Sequence, residues 1–599
     1  MEGSKKSEPK GLTRREALKV SSLALGGLAI GGALIGTETG STDIKASTCE
    51  NCCPTPNTGC TWVNPDTSHY LPGSKSQRYS YFQTLDYFYP FDLKDNKTTT
   101  IAPLGSDEMR ITFMGSTIPG GGPRRAQQMM SIFVEVGWDG AKPADQFVFD
   151  CGAGVCTNYA AMNVGFGRMD KVFLAHIHGD HMSDLTHIYC FGPSSDRKTP
   201  LYVWGPGRSN FTYADPNGNT RGPFNDGTAD YCLALRQACR WHTESFSFQV
   251  TSYTDYPYSD PSALANAWGL PPQLEGPNQG KPPSQVVDPN SPNPDAWGDA
   301  YCIVPIELDW TKTGLDANNN PNYDNIAYYN TATGVRITHF PVIHTRMGSI
   351  GYKLEWWPNP EDSGNLSKPH LTMMYTSDTK PETNCLNHAK NGDKGVDVFI
   401  HEMIVPANVW AMKVNDPWSR PGPEKPPDST DQTVQQMAMV QASSHTPQGA
   451  FGYLLGQIAP APLPRLTVAT HFPTADDTVA CAMTSVQEHF PNAIVYQGNR
   501  APRPTRQKPE KPVRITWSYD LMVITASSDS IVEQRGYVSD FVFSPAANLP
   551  TTGTQNPPLY WTTDSSGKVV GNPTAQIEQK TAINSCGDDC SCNYRDDGY

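Results

Sequence analysis

The chain is short of positive charge: 46 Lys and Arg stand against 60 Asp and Glu in 599 residues, a net charge of −14. That deficit argues against a protein that holds duplex or single-stranded nucleic acid on a basic face, so nucleic acid is not the expected partner. Long apolar runs are missing beyond the first forty residues, which leaves no span for a membrane there. No internal repeat is evident either. The length fits several domains or one large domain with long insertions, and 37% apolar with 10% aromatic residues is ample for a core.

What is present at the start is an address. Thr13-Arg14-Arg15-Glu16-Ala17-Leu18-Lys19 precedes a weakly apolar, Gly- and Ala-rich run from Val20 to Gly36, the pattern of a twin-arginine export signal over residues 1–40. It predicts a periplasmic or extracellular protein that crosses already folded. No small-residue cleavage site stands out between Ile35 and Cys49, so contact with a membrane is expected only if the segment is retained as an anchor.

Fifteen cysteines agree with export. Cys49, Cys52, Cys53 and Cys60 sit in a Thr-, Ser- and Pro-rich extension (41–105), and Cys586, Cys590 and Cys592 close a second extension (531–599). In an oxidising compartment such clusters form disulfides; the rival reading is a small zinc or iron-sulfur site. A helix over Leu233 to Ala238 would hold Cys232 and Cys239 about 10 Å apart, beyond disulfide reach. The odd total leaves at least one thiol unpaired within the chain, and Cys151 is the candidate.

Between the extensions, residues 106–530 read as the working domain, with a Pro-rich insertion at about 209–333. Apolar strands are expected at Met109 to Gly115, Ile132 to Val136, Phe147 to Phe149, Val172 to Ala175, Val335 to His344, Ser349 to Glu355, Leu371 to Tyr375, Val396 to Ile400, Leu466 to Thr470 and Ile515 to Ile524. The insertion is expected to carry strands of its own at Phe246 to Ser252 and Cys302 to Leu308. Helical patterns cover Met182 to Cys190, Gln432 to Gln441 and Thr446 to Ile458.

The chemistry concentrates where strands end. Three imidazoles and a carboxylate crowd into His176-Ile177-His178-Gly179-Asp180-His181 behind an apolar strand. Alternation puts His176 and His178 on one side of extended backbone, while Asp180 and His181 turn away towards a second ion. His344, Asp378, His401, Glu402 and His471 close other strands, and His445 precedes a helix.

This stretch is the HxHxDH signature of the metallo-β-lactamase superfamily, and its surroundings resemble the ribonuclease Z and arylsulfatase-like branch. Phe149-Asp150-Cys151-Gly152, His344 before Gly351-Tyr352, Ser377-Asp378-Thr379, Ile400-His401-Glu402, Ser444-His445-Thr446 and Thr470-His471-Phe472 follow that branch in order, from about Arg110 to Ile524. The resemblance implies an αβ/βα sandwich of two mixed sheets inside outer helices, and two zinc ions, with Mn or Fe as alternatives. His176, His178 and His344 would hold one; Asp180, His181 and His471 the other; Asp378 would bridge. Catalysis falls to Asp180, itself a ligand, and to Glu402 and His445 as a proton-donating pair.

One departure is informative. The arm with which ribonuclease Z enzymes clamp transfer RNA lies between the positions of His344 and Asp378, and here residues 345–377 leave room for two strands and a turn. The expectation is therefore an exported dinuclear zinc hydrolase acting on a small anionic ester, a phosphodiester or sulfate ester. Lactone or β-lactam hydrolysis, and a non-catalytic envelope protein with a vestigial site, are the alternatives. Trp410 and Trp418, in the Pro-rich stretch Val405 to Thr430, suggest a further wall of the cleft.

Overall fold

The computed structural model describes residues 104–118, 127–197, 199–242, 302–404, 432–471 and 513–537, with the strands Tyr89–Asp92, Ala493–Val495, Trp561–Thr563 and Val569–Gly571 and a few isolated residues. The signal segment, both terminal cysteine clusters, the strand expected at Phe246 to Ser252 and the tryptophans Trp410 and Trp418 lie outside the described residues.

The fold is an α/β sandwich of two mixed sheets. Strands are numbered along the chain. The first sheet runs from edge to edge as β1 (Tyr89–Asp92), β19 (Ile531–Tyr537), β18 (Met522–Ala526), β2 (Met109–Gly115), β3 (Ser131–Val136), β4 (Asp145–Phe149), β5 (Lys171–Phe173), β6 (Leu201–Pro206) and β9 (Ile303–Leu308). The second runs β10 (Ile326–Asn330), β11 (Val335–Pro341), β12 (Ile350–Trp356), β13 (Leu371–Tyr375), β14 (Val398–Glu402), β15 (Leu466–Thr470), β17 (Val513–Trp517) and β16 (Ala493–Val495). Two small hairpins stand apart, β7 (Tyr213–Ala214) with β8 (Thr220–Arg221), and β20 (Trp561–Thr563) with β21 (Val569–Gly571), the latter in a separate unit from Val538 onward.

Period-two geometry sorts the side chains of the first sheet into two cores. Ile132, Val134, Phe147, Phe149 and Phe173 face the second sheet, with Tyr352, Leu354 and Tyr375 among their buried neighbours. Phe173 stacks on Trp204 at 4.4 Å and meets the Tyr352 ring edge-on at 5.6 Å. The alternate residues Phe133, Val148, Val172, Leu174 and Val203 face outward and are covered by helices Val155–Ala161, Leu185–Phe191 and Thr228–Ala238. Each such apolar side chain contributes roughly 1.5–3 kcal/mol by burial, and burial on both faces is why these strands show little polar alternation in the sequence. Helices Thr383–Lys390 and Gln448–Gly456 pack against the second sheet through Cys385, Ala389, Phe451 and Leu455. No helix among the described residues is long and apolar enough to cross a membrane.

The structure corrects several boundaries. The alternating stretch Ile515 to Ile524, expected as one strand, is two: β17 lies in the second sheet and β18 in the first, joined by a corner in which Leu521 takes a left-handed φ of 64°. β19 completes the first sheet beyond the expected end at 530, and β1, drawn from the supposed extension 41–105, pairs with it. The stretch 209–333 is not wholly an insertion either, since β9 and β10 form an edge of each sheet. The expected helix Met182 to Cys190 is split into Gly179–Met182 and Leu185–Phe191. Cys232 is not bonded to Cys239, as expected of residues on one helix and its cap, and Cys151, Cys156, Cys190 and Cys385 are free thiols.

Candidate metal centre

The site forms where parallel strands of both sheets end, the edge at which the loops of α/β sheets gather ligands. β4, β5 and β6 are parallel neighbours in one sheet, and β13, β14 and β15 are parallel neighbours in the other. Asp150 follows β4, His176 and His178 follow β5, Asp378 follows β13, Glu402 ends β14 and His471 follows β15. Asp150, Ser377 and His471 all have left-handed backbones, with φ of 56°, 53° and 61°. Such conformations cost non-glycine residues of order 1 kcal/mol or more, and they collect where a strand must turn a side chain into a site. Gly152 serves the same crossing, because a Cβ there would lie 2.0 Å from the Asp180 carbonyl oxygen.

All seven expected ligands meet. In one set His178 Nδ1 lies 3.1 Å from His176 Nε2 and 3.2 Å from His344 Nε2. In the other, His471 Nε2 is 3.2 Å from Asp180 Oδ2 and 3.2 Å from Asp378 Oδ1, while His181 Nε2 is 3.5 and 3.3 Å from the same oxygens. Asp378 turns Oδ1 to this set and Oδ2 to the other, 3.9 Å from His176 Nε2 and 3.7 Å from His344 Nε2. A tetrahedral ion with ligands at about 2.0–2.1 Å has edges of about 3.3 Å, so the spacings in both sets match a cation's ligand shell. His181 Nε2 and Asp378 Oδ1 are buried without a hydrogen-bond partner, which costs roughly 1–3 kcal/mol each unless a cation takes their lone pairs. The residues present fit divalent metal.

Electrostatics separates the two sets. Burial, helped by neighbouring imidazoles, holds His176 well below the ordinary imidazole range, His178 below it, and His344 at about 3. These rings are neutral donors. Burial also works against protonation of His181, but Asp378, Asp180 and Asp150 outweigh it and raise its pKa well above normal. Asp378 and Asp180 are correspondingly held well below the carboxylate range, since surrounding histidines outweigh the burial that opposes ionisation.

Residues behind the ligands fix their rings. Asp150 Oδ2 accepts from His181 Nδ1 at 2.8 Å, from the Tyr375 hydroxyl at 2.7 Å and from Ser377 Oγ at 3.2 Å, while its Oδ1 accepts the Ala175 N–H at 2.8 Å. His344 Nδ1 donates to the Ser444 carbonyl at 2.9 Å, leaving Nε2 for the site. The motif Phe149-Asp150-Cys151-Gly152 does not by itself reveal this role of Asp150, and nothing local in the sequence points to Ser444.

Glu402 and His445 stand beside the ligands as a pair. His445 Nδ1 lies 3.0 and 3.1 Å from the two Glu402 oxygens, and Glu402 also accepts the Thr379 N–H. His445 does not cap the helix that follows it, because Pro447 occupies that position. Its ring stacks on His471 at 5.6 Å and meets His344 edge-on at 5.1 Å. Burial opposes its charged form, yet the adjacent Glu402 carboxylate pushes its pKa up to about 9.

A cleft of about 360 Å³ opens beside His176 and His178, walled by the segment 206–234 and the loop 345–349.

No family model matches this chain. It is 31% identical over 100 residues to Ribonuclease BN of Citrobacter koseri, which covers 16% of this chain and 31% of that protein. To Ribonuclease Z of Treponema denticola it is 34% identical over 65 residues, 11% of this chain and 21% of that protein. The chain thus spans about a third or less of the length of these curated relatives. Among solved structures, the metallo-beta-lactamase fold protein YhfI from Bacillus subtilis overlaps 71% of this chain and 100% of its own length at 11% identity and a TM-score of 0.33. A long form RNase Z from yeast overlaps 72% of this chain and 43% of its own length at 12% identity and a TM-score of 0.35.

Proposed function

We propose that the chain is an exported dinuclear zinc hydrolase that cleaves a phosphodiester or sulfate ester of a small molecule. The observation that carries this reading is the division of seven buried or cleft-facing ligands into two sets that share the two oxygens of Asp378. Divalent ions held there would supply an activated water and Lewis acidity towards the oxygens that gain charge. The chain's own residues do the rest. Asp150 and the Ser444 carbonyl hold His181 and His344 with Nε2 inward, and Glu402 holds Nδ1 of His445 so that Nε2 carries a proton to the leaving oxygen. Elemental analysis and a screen of phosphodiesters, aryl sulfates and lactones against the zinc-loaded protein test the reading; a protein with fewer than two ions that cleaves none of the esters overturns it.

RNA is the second reading. The relatives named Ribonuclease BN and Ribonuclease Z count against the expectation, drawn from net charge and the absent arm, that nucleic acid is not a substrate. Including a single-stranded oligoribonucleotide in the screen decides between the two. Export rests on Arg14 and Arg15. Replacing both with Lys should trap the protein inside the cytoplasmic membrane, and normal secretion of that variant would remove the signal assignment.

A further inference from the structure

Arg346 lies in the wall of the cleft that is also lined by His176 and His178, two positions beyond His344 and next to Thr345, whose hydroxyl is 3.4 Å from His178 Nε2. Its Nη1 pairs with Asp226 Oδ2 at 2.8 Å, and its guanidinium carbon stands 5.1 and 5.5 Å from the ring centres of Phe211 and Phe224. An arginine pinned by one carboxylate and laid over two rings has already lost much of the rotamer freedom that ligand binding would otherwise cost. The Arg346 side chain is nevertheless 46% exposed, and an exposed ion pair by itself stabilises little, so stability alone does not account for this arrangement.

The carboxylates of the lining are engaged already. Asp226 accepts from Ser209 N–H at 3.0 Å and from Ser209 Oγ at 2.6 Å besides Arg346, and Asp230 is held by both Nε and Nη2 of Arg208 at 2.7 Å. Arg346 therefore brings the unspent charge-assisted donors of this wall, and what matches them is an anion. The cleft volume is at the small end of ligand pockets, room for a ring-sized group.

We propose that Arg346 is a specificity-determining residue: it binds a second anionic group of the substrate, separated from the scissile ester by a ring-sized spacer, and the segment 209–226 exists to hold it there. This rests on the hydrolase reading above. It makes the preferred substrate an ester with two negative centres, one at the metal ligands and one, a carboxylate or a terminal phosphate or sulfate, at Arg346.

Calorimetric titration of the full-length, zinc-loaded protein with phenylphosphonate and with 3- and 4-carboxyphenylphosphonate, which are not hydrolysed, tests this. In the unsubstituted protein one carboxylated probe should bind about tenfold tighter than phenylphosphonate, the scale of a charge-assisted pair. In Arg346→Gln that ratio should fall to about one, and in Arg346→Lys part of it should return. Zinc content measured alongside shows that the ligand sets are intact. A tenfold preference that survives in Arg346→Gln, or no preference in the unsubstituted protein while phenylphosphonate binds, overturns the role of Arg346 and leaves the hydrolase reading standing. Failure of every phosphonate to bind the zinc-loaded protein overturns both.

Discussion

The two ligand sets lie side by side and are built on opposite principles. His176, His178 and His344 are neutral imidazoles, one of them exposed to the cleft, with no carboxylate of their own. Asp180, His181, Asp378 and His471 are all buried, rich in carboxylate and braced from behind by Asp150. A cation entering the first set meets free lone pairs. In the second it must displace the proton that three carboxylates hold on His181. The contrast shows one fold making an open, cleft-facing ligand set and a closed, buried one from the same residue types, with burial and the number of carboxylates deciding which is which.

Asp378→Ala is the harshest test of that contrast, because it removes a ligand from the closed set and the counter-charge from the open one. Zinc should fall from about two ions per chain to fewer than one, with loss of activity. A single tight ion that persists would show that the sets are independent. His445→Ala should keep both ions and lose on the order of 10² to 10⁴ in rate on substrates with poor leaving groups, and far less where the leaving group is a weak base. Equal losses across leaving groups would remove His445 as the acid. Asp150→Asn should weaken the closed set alone by roughly 10- to 100-fold in metal affinity, measured by competition with a chelator, while the open set titrates as before. Weakening of both sets would mean that Asp150 supports the sheet edge and not one ring.

The mildest effect is a shift in pH dependence. A pKa near 9 keeps His445 protonated through neutral pH, so cleavage of poor leaving groups should hold level and decline as pH rises through about 9. Glu402→Gln removes the charge that raises this pKa, so the decline should move down towards the ordinary imidazole range near 6.5. An unmoved alkaline limb in the pH–rate profile would show that it belongs to another group.

The ligands were legible because each sits at the polar end of an apolar strand, and a strand end is a local signal. Asp150 was visible in the sequence but its work was not, since the atoms it holds, on Ala175, His181, Tyr375 and Ser377, are distant in the chain. The break between β17 and β18 was hidden for a related reason. Ile515 to Ile524 keeps its alternation through the corner, and the residue that turns it is Leu521, a type that rarely adopts a left-handed backbone and so gives no turn signal. The strand expected at Cys302 to Leu308 is present as β9, but the Pro-rich segment before it gives no sign that β9 and β10 belong to the two main sheets as edge strands and not to an insertion. Arg346 follows a recognised histidine, yet its setting depends on Phe211, Phe224 and Asp226, which only folding brings to it.

That corner at Asp520 has a consequence for how the protein is made. Asp520 ties Ser116 across 404 positions of chain and also accepts from the Gln128 N–H and from Asn158, while β18 and β19 fill the gap between β1 and β2. Until residues 513–537 have been synthesised, β2 is a bare edge of the first sheet, and such an edge is open to pairing with a neighbouring chain. The first sheet therefore cannot close until residues 513–537 have left the ribosome. Its slow, long-range step waits for these late residues, and a chain cut short before Met522 should accumulate as aggregate instead of as a partly active enzyme.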